Sequence, residues 1–479
     1  MDPLPASAPS GIPSRDRIPL LQKIMFSAGG TTDYFATGLV TSVLWMPYFN
    51  IGLGLSPALL GMALMVLRGW DAFADPVMGN ISDNARTRWG RRRPFMVAGA
   101  IATSGLSLLL WRLPEGLGEH GKIAYLIVVG MVFYAGFSCW AMPYYSLQLE
   151  LTPHYDERTR LSAWMALFSK FSGLLGGWTM ALLTCSWFAD PVTGKADIVH
   201  GVRACSGYIA ALILVMGLLP ALFVKERYYQ AETRHQARDP FWKSIGESAR
   251  CGPLWCLIGI SFFLLLGGGA VGTLGQYLNI YYVNGGKLAH ASVIGGWISS
   301  VTFLTGIVAI PFWTWVSERL DKKVVLAILL GGSMAGHLLN VVCLQPGKPY
   351  LQVIPAVFSS MIVSAVWLFI PSMKGDVADY DELRSTRRRE GSLNAFFSWF
   401  IKAALTGAAG LGGLLIQLSG FSAALPEQPP EVLQRMRLIF LILPLAVWSV
   451  TLLFIWYYPL DRKRMAEVRA ALERRRGVI

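Results

Sequence analysis

Charge is scarce in this sequence. Of its 479 residues only 15% are Asp, Glu, Lys or Arg, where soluble chains carry about 25%. A water-soluble globular chain is thereby disfavoured. Cysteine is sparse too. Cys139, Cys185, Cys205, Cys251, Cys256 and Cys343 form no C-x-x-C pair, so neither a zinc nor a redox motif is supported. Cys185 and Cys205 flank one predicted loop; free thiols are the expected reading, with a disulfide between them as the alternative. The six histidines, His120, His154, His200, His235, His290 and His337, form no ligand pair, so no metal-dependent enzyme is expected. The Gly-rich runs lie inside apolar stretches and lack the Lys-Ser/Thr ending of a phosphate loop. Residues 1–19 contain no apolar core, so no cleavable signal is expected and the first apolar helix is retained.

Long apolar runs are abundant. Hydrophobic residues make up 54% of the chain, and the stretch from Leu254 to Val283 carries no charge. Runs of about 18 or more apolar residues read as bilayer-spanning helices, since no water is available there for unpaired backbone groups. Twelve spans are expected, near 22–50, 57–83, 94–112, 122–150, 161–187 and 204–224, then 253–284, 290–316, 324–343, 350–373, 391–418 and 437–458. The net charge of +13 lies between these spans, which argues against nucleic acid. Lys and Arg divide 31 to 8 in favour of the side holding both termini and the even-to-odd connections. That bias predicts both termini in the cytoplasm, in a cell inner (plasma) membrane.

The expected fold is an all-α membrane protein with twelve transmembrane helices in two pseudo-symmetric six-helix bundles. The segments are a cytoplasmic N-terminal tail (1–21), an N-terminal bundle (22–224), a cytoplasmic middle loop (225–252), a C-terminal bundle (253–458) and a cytoplasmic C-terminal tail (459–479). A duplication is suggested by two inner connections. Ser82-Asp83 leads into Arg86 to Arg93, and Ser317-Glu318 leads into Arg319 to Lys323. Both run acid first, then basic, at corresponding places.

Ionisable residues inside spans are costly and usually face a cavity. Arg68, Asp71 and Asp75 share one face of the second helix, at spacings of three and four. Two carboxylates one turn apart repel each other unless a proton or cation binds. They form a candidate coupling site, with a salt bridge to Arg68 as the alternative. Asp33 in the first helix can accept hydrogen bonds from sugar hydroxyls, or pair with Lys170 or Arg68. Lys170 and Lys402, in the fifth and eleventh helices, would with Arg68 balance the three acids. Tyr145 and Trp367 are candidate stacking rings, alongside Gln276, Tyr277 and Asn279. Gly407, Gly410 and Gly413 predict a close helix contact.

The run Arg68-Gly69-Trp70-Asp71-Ala72-Phe73-Ala74-Asp75-Pro76-Val77-Met78-Gly79, followed by the basic loop Arg86-Thr87-Arg88-Trp89-Gly90-Arg91, resembles the signature of the glycoside–pentoside–hexuronide:cation symporters of the major facilitator superfamily. Pro143-Tyr144-Tyr145-Ser146-Leu147, Asp376-Val377-Ala378-Asp379-Tyr380 and Phe400-Ile401-Lys402 are similar to further motifs of that family. The resemblance implies cation-coupled symport of a sugar, glycoside or uronide, or of a lysolipid or other amphiphile. It implies a cation site at Asp71, Asp75 and Ser138, and substrate contacts at Asp33, Arg68, Tyr145, Lys170, Trp367 and Lys402. No cofactor is expected beyond the coupling cation; a proton is favoured over sodium at Asp71 and Asp75. The expected partners are a small-molecule sugar or glycoside and the lipid bilayer, with the chain acting as a monomer. Three departures from the family pattern stand out. Tyr34 occupies the place of the first-helix acid, with Asp33 one residue before it; Ala141 replaces a fourth-helix acid; Ala74 replaces a sodium-holding asparagine.

Overall fold

The computed structural model describes residues 17–151, 155–225, 246, 249–385, 390–423, 425 and 427–476. Within those stretches the side chains of some helical positions, Trp367 among them, lie outside the description. So does most of the middle loop expected at 225–252.

Twelve helical rods and a terminal helix make up the described chain. They are α1 (20–52), α2 (Pro57–Asn84), α3 (Arg93–Leu110), α4 (Glu119–Glu150), α5 (Tyr155–Leu183) and α6 (Ile198–Phe223). The second set is α7 (Gly252–Val283), α8 (Leu288–Arg319), α9 (Lys322–Cys343), α10 (353–385), α11 (Glu390–Leu418) and α12 (Pro430–Tyr457), followed by α13 (Arg462–Arg476). Ten of the rods are long and apolar enough to cross a membrane as single helices, among the described residues. The other two, α1 and α10, are interrupted by wider π-helical turns at Tyr34–Leu44, Pro47–Gly52 and Ala365–Phe369. Such turns cluster at functional positions; here Asp33 abuts one and Trp367 lies within another.

Several ends differ from the sequence reading. α6 starts earlier than 204 because the Asp197 carboxylate caps it, accepting from the Val199 and His200 N–H groups at 2.9 and 3.1 Å. α12 starts earlier than 437 because Pro430 occupies the first helical position, where its missing N–H costs nothing. α10 continues to Ser385, beyond the expected 373. The C-terminal tail is helical, with Met465, Val468 and Leu472 buried on the second half.

The contacts between rods repeat. In the first half α1 packs on α5 and α6, α3 on α4 and α6, and α2 on α4. In the second half α7 packs on α11 and α12, α9 on α10 and α12, and α8 on α10. Adding six to each number of the first set gives the second. The two large contacts between halves, α2 with α11 and α5 with α8, exchange under the same operation. This is a pseudo-two-fold axis between two six-helix bundles.

Specific polar ties repeat too. Arg203 Nε donates to the Tyr48 hydroxyl at 3.4 Å, and that hydroxyl donates to the Trp111 carbonyl. Arg437 donates to the Tyr282 hydroxyl at 3.2 Å and to the Val341 carbonyl at 2.7 Å. The two Tyr–Arg pairs are each 234 positions apart (48 to 282, 203 to 437). At the opposite end Arg93 donates to the Ala221 and Leu222 carbonyls at 2.5 and 3.0 Å, and Lys323 donates to the Tyr458 carbonyl at 3.3 Å. In each half a basic side chain at the start of the third rod caps the last carbonyls of the sixth.

The end carrying the α1–α2 and α7–α8 turns is termed the far end, and the end holding α13 the near end. At the far end the halves share one apolar core, which includes Phe49 and Trp111 with Tyr277, Ile416 and Phe421. Hydrogen bonds cross the seam there. Tyr277 donates to Asn50 Oδ1 at 2.6 Å, and Gln276 to the Val43 carbonyl at 3.1 Å. Gln417 Oε1 accepts from Ser56 Oγ at 3.1 Å and from the Ala58 N–H at 3.3 Å. Toward the near end the second half keeps a separate core around Leu257, Leu329, Val377 and Leu393.

Candidate coupling and substrate site

The site begins with close packing of α2 on α11. A Cβ at Gly413 would lie 3.0 Å from Gly61 Cα, and one at Gly61 3.0 Å from the Gly410 carbonyl oxygen. Glycines at these positions let the backbones approach, as the spacing of Gly410 and Gly413 predicts. That approach brings Lys402 of α11 against Asp71 and Asp75 of α2. Lys402 Nζ lies 3.5 Å from Asp71 Oδ2 and forms a closer ion pair with Asp75 Oδ2. Ser138 of α4 donates to Asp71 Oδ1 at 3.4 Å. Asp75 Oδ1 is buried and has no hydrogen-bond partner among the described residues.

Two carboxylates thus share one ammonium. With both ionised, the cluster carries one uncompensated negative charge in a largely buried place, which is costly. One monovalent cation or one proton restores neutrality. It would compete with Lys402 for the same oxygens.

Asp33 lies on the α1 side of the site. Its Oδ2 accepts from the Tyr145 hydroxyl of α4 at 2.8 Å, and Tyr145 is 37% exposed. Hydroxyls step along the same face of α1. Thr37 donates to the Asp33 carbonyl at 2.8 Å and Thr41 to the Thr37 carbonyl at 2.7 Å. Arg68 donates to Thr41 Oγ1 at 3.0 Å, and its guanidinium lies 5.6 Å from the Tyr134 ring centre.

Some expected pairings do not form. Arg68 makes no ion pair with Asp33, Asp71 or Asp75; a hydroxyl and a ring face take its place. Lys170 does not join Asp33 either. It lies on the α5–α8 seam, where Gly306 leaves room for its Nζ. Of the three interior cations, only Lys402 meets the acids. Tyr277 is fully buried against Asn50 and Phe421, and serves packing between the halves. Cys185 and Cys205 are free thiols. The Trp367 ring lies outside the described residues. Among those residues no three His, Cys, Asp or Glu side chains gather as a metal site.

The profile of the MFS/sugar transport protein family matches residues 26–462. The chain belongs to this family. This accords with the resemblance to the glycoside–pentoside–hexuronide symporters drawn from the motifs around Asp71 and Lys402. The family member described here is a multi-pass membrane transporter and not an enzyme. It is 25% identical to an isoprimeverose transporter of Lactiplantibacillus pentosus, over 96% of this chain and 92% of that one. It is 24% identical to sodium-dependent lysophosphatidylcholine symporter 1 of Gallus gallus, over 96% and 90%. In fold it is similar to the crystal structure of a D-xylose-proton symporter, with TM-score 0.66, 13% identity, and 92% and 97% coverage.

Proposed function

We propose that this transporter couples inward movement of one cation, preferentially a proton, to uptake of a sugar or glycoside. The observation that carries the reading is the pair Asp71 and Asp75 sharing the single ammonium of Lys402 across the seam between halves. A coupling ion needs a site whose occupancy alters contacts between the bundles. Here a proton on Asp75 weakens its hold on Lys402 and loosens the α2–α11 seam. The loaded halves can then rock so that the far end closes and the near end opens. Return of the empty carrier needs Lys402 back on the carboxylates, because an unpaired buried charge resists passage. Coupling follows from that requirement.

The preference for a proton rests on ligand count. Sodium requires several oxygens at close range, and Ala74 supplies none. A proton needs one oxygen, and Asp75 Oδ1 is buried without a partner among the described residues. Asp33 and Tyr145 would hold cargo hydroxyls, with Arg68 beside them. Both termini are assigned to the cytoplasm from the basic-residue bias, which makes the far end external and the observed form inward-facing. The printed name of the chicken relative supplies a second cargo class, a lysolipid. Uptake into proteoliposomes of labelled isoprimeverose, methyl glucuronide and lysophosphatidylcholine, under an imposed ion gradient, tests the reading. Accumulation of a saccharide supports it; accumulation of the lysolipid alone overturns it.

A further inference from the structure

The coupling cluster and Asp33 occupy the first half and the seam. A separate cavity of about 520 Å³ runs into the second half, within the usual range for small-molecule sites of about 300–1,000 Å³. It is bounded by α7, α8, α9, α10 and α12. Its mouth lies on the seam, between Ser42 and Val43 of α1 and Gly177 and Met180 of α5. Ser42 directly follows Thr41, the residue that holds Arg68. On α1 the cavity thus begins one residue beyond the contact that holds Arg68.

Its lining is largely apolar, interrupted by Ser, Asn, Gln and His side chains, and contains no Asp, Glu, Lys or Arg among the described residues. Three amide oxygens in it, on Gln276, Asn340 and Gln352, accept no hydrogen bond from the described residues, although their NH₂ groups are all engaged, with the carbonyls of Val43, His337 and Pro349 respectively. Asn340 and Gln352 are more than nine-tenths buried. Asn279 fixes the frame: it donates to the Ala291 carbonyl at 2.8 Å and accepts from Asn284 and Gln352 at 2.8 and 3.0 Å. His337 Nε2 donates to the Phe440 carbonyl at 2.9 Å, which fixes its ring near Trp448. The three amide oxygens are open to the cavity and free to accept from whatever fills it. Acceptors that lack donors call for hydroxyls. An ionised group would find no counter-charge here.

We infer that this second-half cavity receives the uncharged, hydroxyl-bearing ring of a saccharide cargo and selects neutral glycosides over uronides and phospholipid headgroups. The inference rests on the sugar-transport reading and extends it to the class of sugar. Asp33 and Tyr145 meet one end of the cargo, and the amides of α7, α9 and α10 meet the other. The wall at Gly268 and Gly272 sets the available length.

The test uses that wall. A Cβ at Gly272 meets nothing within 4 Å, so a side chain there enters the cavity rather than the backbone. Binding of isoprimeverose and methyl glucuronide to the full-length protein in nanodiscs is measured for the parent, Gly272→Ala and Gly272→Leu. Asn340→Leu tests the amide oxygen independently. The parent should bind isoprimeverose at least tenfold more tightly than the uronide. Affinity should fall about twofold in Gly272→Ala and at least tenfold in Gly272→Leu and in Asn340→Leu. Melting temperature and proton-dependent stabilisation, which report the Asp71–Asp75–Lys402 cluster, should match the parent in Gly272→Leu. Unchanged isoprimeverose affinity in Gly272→Leu, or a uronide bound as tightly as the neutral sugar, overturns the inference while leaving sugar transport standing. Absence of binding by either saccharide to the parent defeats the sugar reading itself.

Discussion

Lys402 of α11 forms an ion pair with Asp75 of α2, joining the two halves of the transporter at the residues that carry its negative charge. Asp71, one turn earlier, lies 3.5 Å from the same ammonium. Competition for these oxygens is the proposed basis of coupling.

Removing the ammonium should expose that competition. Lys402→Met leaves two carboxylates buried together, at a cost of about 3 kcal/mol. The melting temperature should fall at neutral pH and recover on acidification, because one proton replaces the lost positive charge. Asp75→Asn in the same background should also restore stability at neutral pH. A variant as stable as the parent at every pH would show that the ion pair contributes nothing.

The Asp33–Tyr145 contact predicts a substrate effect. A hydrogen bond to a charged group contributes about 1.5–3 kcal/mol, so Asp33→Ala should weaken cargo binding by roughly tenfold to a hundredfold. Tyr145→Phe should weaken it less, and the double variant should be no worse than Asp33→Ala alone, since the two groups act together. Isothermal titration across the cycle measures this. Normal binding by Asp33→Ala would remove it from the site.

The glycine contact predicts a conformational effect. A Cβ at Gly413 would meet α2 at Gly61 Cα, so Gly413→Ala should wedge the far end apart. Alkylation of a cysteine introduced at Gln417 should become faster in that background. An unchanged rate would show that the α2–α11 approach does not seal the far end.

Outside the membrane spans, Glu157 supplies a pH dependence. Burial raises its pKa, but the Lys23 ammonium at 2.5 Å, the Ile18 N–H at 3.0 Å and Arg160 together outweigh burial and hold it below the usual 4.5. A depressed carboxylate stabilises the fold above its unfolded value and loses that contribution as pH falls through its folded value. The protection factor of the Ile18 amide, its slowing relative to the unstructured chain at the same pH, should therefore be high above about pH 4.5 and fall in more acidic buffer. In Glu157→Gln that protection should be low at every pH.

Much of the architecture was legible because bilayer-spanning helices are local objects: length, apolarity and flanking charge define them. Asp71 and Asp75 stood out because spacing along one helix places them on one face. What a side chain meets on another helix depends on rotation and tilt, which periodicity does not encode. Arg68 and Lys170 were accordingly grouped with the acids but face Thr41 and Gly306. The strongest mark of duplication, Tyr48 with Arg203 and Tyr282 with Arg437, was present in the sequence as Tyr-x-Asn-x-Gly at 48–52 and 282–286. Neither Tyr–Arg pair is contiguous, so no local pattern marks it. Of the second-half cavity only Gln276 and Asn279 of α7 stood out in the sequence; its other walls come from several rods, and residues such as Ser333, Asn340, Gln352 and Trp448 carry no local signal that they share one space.

The coupling claim is tested most directly by concentrative isoprimeverose uptake into proteoliposomes, with an inward proton gradient in sodium-free buffer, for the parent and Asp75→Asn. The account predicts accumulation above equilibrium by the parent, and only equilibrative exchange by Asp75→Asn. Accumulation driven by a sodium gradient at equal pH, with the proton gradient collapsed, would contradict the proton assignment; accumulation by Asp75→Asn under the proton gradient would contradict the site.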